Sequence, residues 1–112
     1  MTKEQQRIAI AEWCGWTHIE DYSASLMMAP GFLIKAYPPQ NAIIGKKEPI
    51  PDYLNDLNAM HEVEKRLGEG QWEKFRQQLN LIINRDDYIR DFSATAAQRA
   101  EALLKTIGKW KE

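Results

Sequence analysis

The chain has 112 residues, 44% of them hydrophobic and 28% charged, with a formal net charge of -1 and a single cysteine. It is long enough to bury one real core and too apolar to be disordered, so a single domain is expected. The near-neutral balance argues against a polybasic binder of nucleic acid or membrane, and one cysteine excludes an internal disulfide.

The N-terminal MTKEQQR is polar. No apolar run approaches the ~20 residues that span a bilayer, which predicts a cytoplasmic protein. The first element is a helix over 3–14. Thr2 and Gln5 have capping-box spacing, Ile10, Trp13 and Cys14 share a face, and Gly15 suits a left-handed helix end. The EWCGW stretch reads as a helix end whose indoles anchor it to a sheet.

Helical periodicity is absent from THIEDY and SLMM, and FLIKAY is rich in aliphatic and aromatic residues. Between SLMM and FLIKAY lies Ala29-Pro30-Gly31, which fits the centre of a type II turn. A short antiparallel hairpin of those two runs is therefore predicted. Pro38-Pro39 ends the second strand, and 38–51 reads as an extended loop. Its Gly45-Lys46-Lys47 is not a phosphate loop, because the upstream glycine and the hydroxyl after lysine are missing.

A second helix is expected over 55–67, with Asn55 as N-cap and Asp56 meeting the positive end of the helix dipole. Leu57, Met60, Val63 and Leu67 line its apolar face, and Gly68 and Gly70 close it. Trp72, Phe75, Leu79 and Ile82 recur at helical spacing, giving a third helix over 71–83, although LNLII alone also fits a strand. An edge strand is placed near 88–92. The last helix, 95–107, opens on a capping box of Thr95 and Gln98 and carries a narrow stripe of Ala96, Ala100, Leu103 and Ile107. Gly108 stops it, and Trp110 can fold back over its last turn.

The densest group of ligand-type side chains is in the second helix. His61 lies about 40° from Leu57 on a helical wheel, at the rim of the apolar stripe, beside Asn58, Glu62 and Lys65. A metal helix wants a second ligand at i±3 or i±4, and His61 has Asn58 and Lys65 there, so a hydrogen-bonding surface histidine is the better reading. His18 belongs to another element. Asp52 and Asp56 flank a helix start, where carboxylates serve orphan N–H groups rather than acid–base chemistry. Glu64 reads as a snorkelling side chain paired with Lys65, Arg66 or a partner strand. Cys14 lies at a helix C-terminus, where the dipole opposes thiolate formation. Trp13 and Trp72 are expected on core faces, which leaves little aromatic surface for base stacking. Arg99, Lys105, Lys109 and Lys111 are offset by Glu101 and Glu112. No catalytic, cofactor-binding or metal residues are therefore assigned, and the remaining candidate is the polar strip Asn58, His61, Glu62 and Lys65.

Two blocks, PDYLNDLNAMHEVEKRL at 51–67 and ATAAQRAEALLKTIGKW at 94–110, resemble the characteristic segments of the phage ABA sandwich domain family, as AEWCGW resembles its N-terminal helix end. The resemblance implies a small α/β sandwich encoded by phage or prophage genomes, with no established activity, catalytic residues or cofactor. Where members of that family run as strands after the middle helix, QWEKFRQQLNLII here reads as helix. The combined expectation is an α+β fold, with helices packed on a small antiparallel sheet. Its expected function is that of a non-enzymatic phage or prophage accessory protein acting through a protein partner, such as a host factor, or as a homodimer that covers a sheet edge. A nucleic-acid-binding protein and a metal-dependent hydrolase are the alternatives.

Overall fold

A computed structural model describes residues 1–29, 31–39, 46–86 and 94–112. The fold is α+β: the described residues form four α-helices and a three-stranded antiparallel sheet. They fall into two compact units, residues 2–51 and residues 52–112 with Met1. The edge strand expected near 88–92 lies outside the described residues.

In the first unit, α1 (Lys3–Trp13) begins at the expected capping box. Thr2 Oγ1 accepts from the Gln5 N–H at 3.1 Å, and Gln5 Oε1 accepts from the Thr2 N–H at 2.9 Å. It ends in a Schellman motif: Gly15, at φ +98°, donates to Glu12 O, and Trp16 donates to Ala11 O. Arg7 ties the helix to the strand-bearing part of the unit, donating to Gly31 O at 3.1 Å and Ile50 O at 3.3 Å.

The sheet order is β1 (Thr17–Asp21), β2 (Ile34–Tyr37), β3 (Glu48–Pro49). Central β2 alternates buried Ile34 and Ala36 with half-buried Lys35 and Tyr37, the period-two signature of a strand with one covered face. β3 lies in the segment read as loop and carries a proline, which an edge strand tolerates. β1 is bulged: Thr17 pairs with Tyr37 and Glu20 with Lys35, and His18 adopts φ +55° within the irregular stretch.

The hairpin is the main correction. FLIKAY supplies β2, but its partner is THIED, and SLMM is not a strand. The described residues 22–29 and 31–33 instead form a loop containing one 3-10 turn, Ala24–Leu26. Of the expected turn, Phe32 N–H donates to Ala29 O at 3.1 Å and Gly31 takes φ +82°, while Pro30 lies outside the described residues. The physical reason is local. Asp21 and Ser23 offer the backbone side-chain hydrogen bonds that a ladder would otherwise supply.

In the second unit, α2 (Leu57–Glu64), α3 (Glu69–Arg85) and α4 (Ala96–Thr106) form a helical cluster in which α4 packs against both others. The segment 71–83 is helical throughout, LNLII included. Three local expectations shift. Asp56, not Asn55, caps α2, accepting from the Asn58 and Ala59 N–H groups, while the Asn55 side chain donates to Asp52. Gly68 opens α3 rather than closing α2, with Gln71 Oε1 accepting its N–H at 3.0 Å, and Gly70 sits inside α3. Leu57 and Trp72, expected in apolar faces, are exposed, the indole lying edge-on to buried Phe75.

The last helix starts at the expected Thr95–Gln98 box and ends at Gly108, φ +77°. Its apolar contact is broader than a stripe. Ala96, Ala100, Ala102, Leu103 and Leu104 are all buried, with Gln98 and Thr106, while Ile107 is only half-buried. A helix buried around most of its girth is a central one. Trp110 folds back as expected, its ring carrying the Lys105 ammonium 5.6 Å from the centroid.

Candidate functional site

The polar strip of α2 is where the helix geometry puts it. Asn58, His61, Glu62 and Lys65 are all exposed, and Glu62 and Lys65 form an i,i+3 ion pair at 3.0 Å. Among the described residues no three His, Cys, Asp or Glu side chains gather as a metal site would require. Asp52 and Asp56 do not converge on a shared proton: Asp52 accepts from Asn55, and Asp56 serves the helix N-terminus. His18 lies edge-on to Tyr37, 5.5 Å between ring centroids. Cys14 is buried.

Glu64 departs from its expected role. It is buried rather than snorkelling, and it pairs with Arg99 of α4, Nη1 to Oε1 at 2.8 Å. Burial pushes its carboxyl above the ordinary range, and the Arg99 and His61 charges oppose the shift. The pair joins α2 to α4, and its partners come from different helices 35 residues apart, so no local pattern announces it.

The most unusual surface is the loop 22–33. Met27 is 97% exposed, Phe32 63% and Leu26 53%, with Met28 also exposed, so four large apolar side chains face solvent within seven residues of chain. Scattered exposed apolar residues are normal, but a cluster on one loop is not.

The loop is held in this shape from below. The Asp21 carboxylate accepts from the Ser23 hydroxyl, from the Ser23 N–H at 2.9 Å and from the Gly31 N–H at 2.8 Å. Ser23 Oγ in turn accepts from the Leu33 N–H at 2.7 Å, and Ser23 is fully buried. These bonds, the Ser23 hydroxyl's first, hold the Asp21 carboxyl below the usual carboxylate range. Above this knot, Met27 adopts a left-handed conformation, φ +58°, which a non-glycine residue reaches only at a cost of roughly 1–2 kcal/mol. A Cβ on Gly31 would overlap the Glu4 side chain and force it to move, and φ +82° strains any residue with a Cβ, so glycine is favoured on both counts.

The sequence does not announce this surface, because the apolar run LMM reads as part of a strand. The signal that could have found it is Asp21-x-Ser23, the spacing of an Asx turn, which breaks a strand and starts a loop. No family model, curated protein or solved structure matches this chain.

Proposed function

We propose that the protein is a non-enzymatic binding module that docks a protein partner through the loop 22–33, in the cytoplasm of a bacterial host as a phage or prophage accessory protein. The observation that carries the docking role is the exposure of Leu26, Met27, Met28 and Phe32 on a loop braced by Asp21 and Ser23. A braced loop loses little conformational entropy on binding, and each such side chain contributes ~1.5–3 kcal/mol when fully buried. Methionine adds adaptability to the shape of a partner. The phage context and a host factor as partner rest on the resemblance of the 51–67 and 94–110 segments. No described helix is long and apolar enough to cross a membrane.

A second copy of the chain is the other occupant to test. Strand addition across the sheet edge is disfavoured, because β1 is bulged at His18 and β3 is two residues long with Pro49. The deciding experiment compares tagged native chain with a Met27→Ser/Phe32→Ser variant in host cells, followed by reconstitution of any recovered pair from purified components. Binding by the native chain and at least a tenfold loss in the variant, with its thermal transition unchanged, is the expected result. Equal binding by both chains removes the loop as the docking surface. Sedimentation of the native chain separates self-association from a foreign partner.

A further inference from the structure

The solvent-side face of the sheet carries a second arrangement, which meets the apolar loop only at Tyr22. Glu20 of β1 and Lys35 of β2 are paired across the strands, so Glu20, Lys35 and Tyr37 project from one face. Tyr22, just past β1, and Lys47, just before β3, converge there. The Lys47 ammonium stands 5.7 Å from the Tyr22 ring centroid and 5.6 Å from that of Tyr37. It donates to the Glu20 carboxylate and, at 3.4 Å, to the Tyr22 hydroxyl. His18 supports Tyr37 edge-on.

A surface lysine ordinarily extends its ammonium into water. Lys47 does the reverse: its side chain is only 15% exposed, while the Glu20 side chain keeps 60%. The Tyr37 ring within 6 Å, the Tyr22 hydroxyl and the Glu20 carboxylate together offer an organic cation an aromatic surface, a polar acceptor and a counter-charge. The lysine pKa is raised and that of Glu20 lowered, chiefly through the hydrogen bond between them, as expected of an ammonium held in place.

We propose that Glu20, Tyr22 and Tyr37 form a binding site for an alkylammonium group, and that Lys47 is its resident ligand, which an external ammonium must displace. The external group is a free small alkylammonium or the lysine of another protein, since both present the same chemistry. Tethering gives Lys47 an effective concentration in the millimolar range, so the native chain is self-blocked and opens only to a ligand that outcompetes it.

Lys47→Met removes the resident ammonium and keeps a linear apolar stem. Tetramethylammonium, and separately a blocked lysine peptide, is titrated into this variant while the ring resonances of Tyr22 and Tyr37 are followed by NMR. Saturable shifts are expected at concentrations about tenfold or more below those the native chain needs. Preference for the quaternary probe indicates a free cation as ligand, and preference for the peptide a protein lysine. Adding Tyr37→Leu is expected to erase the response at Tyr22. The proposal is overturned if neither probe moves the rings, if native and Lys47→Met chains respond equally, or if the response survives Tyr37→Leu.

Discussion

Arg99 Nη1 lies 2.8 Å from Glu64 Oε1, and the two side chains retain 18% and 5% of their exposure. Among the described residues, Glu64 Oε2 and Arg99 Nε have no hydrogen-bond partner. The pair therefore loses hydration that it only partly recovers. Removing one member should cost far more than removing both. Arg99→Met is expected to destabilise the chain by ~3–5 kcal/mol, because it strands a buried carboxylate. Glu64→Leu/Arg99→Met should be neutral or more stable than the native chain by up to ~4 kcal/mol. Urea denaturation of the two variants measures the difference, and a double variant as unstable as Arg99→Met would mean that the pair is net favourable.

The same carboxylate predicts how stability depends on pH. Among described groups with a resolved shift, Glu20, Asp21, Asp86 and Glu101 have lowered values and Glu64 alone among the carboxyls is raised, by burial. A raised acid keeps its proton longer in the folded state, so its contribution is fully present below the unfolded value of 4.5 and declines as pH rises through the folded one. The lowered groups act in the opposite sense, losing their contribution as pH falls below the ordinary carboxylate range. Unfolding free energy should thus contain a decline above about pH 4.5 that Glu64→Gln abolishes, measured as denaturation midpoints from pH 4.5 to 8. An identical pH profile in the variant would show that Glu64 does not carry it.

The helices were legible because their signals are local. Thr2–Gln5 and Thr95–Gln98 are capping boxes in the sequence and in the structure, and Gly15 and Gly108 both take the left-handed conformation at helix ends. What failed depended on partners far along the chain or on two residues competing for one role. Asn55 and Asp56 are both good caps, and the helix begins after the second. The Glu64–Arg99 pair spans 35 residues, and no helical wheel of α2 contains Arg99. The run Leu26–Met28 reads as a strand from its lack of helical period and the Pro-Gly that follows, whereas Asp21 and Ser23 hold it in a loop. Asn58, His61, Glu62 and Lys65 are exposed on α2, and exposure alone gives them no chemistry.

Met27 provides a test in which stability and function move apart. Its left-handed conformation is strained for a side chain with a Cβ, and 97% exposure gives that side chain almost nothing to pack against. Met27→Gly relieves the strain while adding backbone entropy to the unfolded chain, so stability should be unchanged or rise by up to ~1 kcal/mol. Partner binding should weaken at the same time. This trade is expected of a residue kept for contact rather than folding. Thermal melts and a binding titration on one variant check both halves, and a destabilised Met27→Gly would show that the side chain has a structural role.

Asp21 tests whether the loop is braced as a unit. Its carboxylate accepts from Ser23 with one oxygen and from the Gly31 N–H with the other. Asp21→Asn keeps an acceptor for Ser23 but can turn an amide N–H toward the Gly31 N–H, so the substitution cuts the brace at one point. Amide exchange should quicken at Gly31, and at Leu33, whose N–H depends on the Ser23 hydroxyl. The α1 and α4 amides should exchange as before, because the opening is local. Lowering the pH should act on the native loop in the same direction: a carboxyl held below its ordinary value stabilises the loop until protonation removes an acceptor, so order is lost as pH falls through the lowered value. If Gly31 and Leu33 exchange at native rates in Asp21→Asn, the loop is held by something other than Asp21. The docking surface would then lose the rigidity that makes its exposed side chains effective.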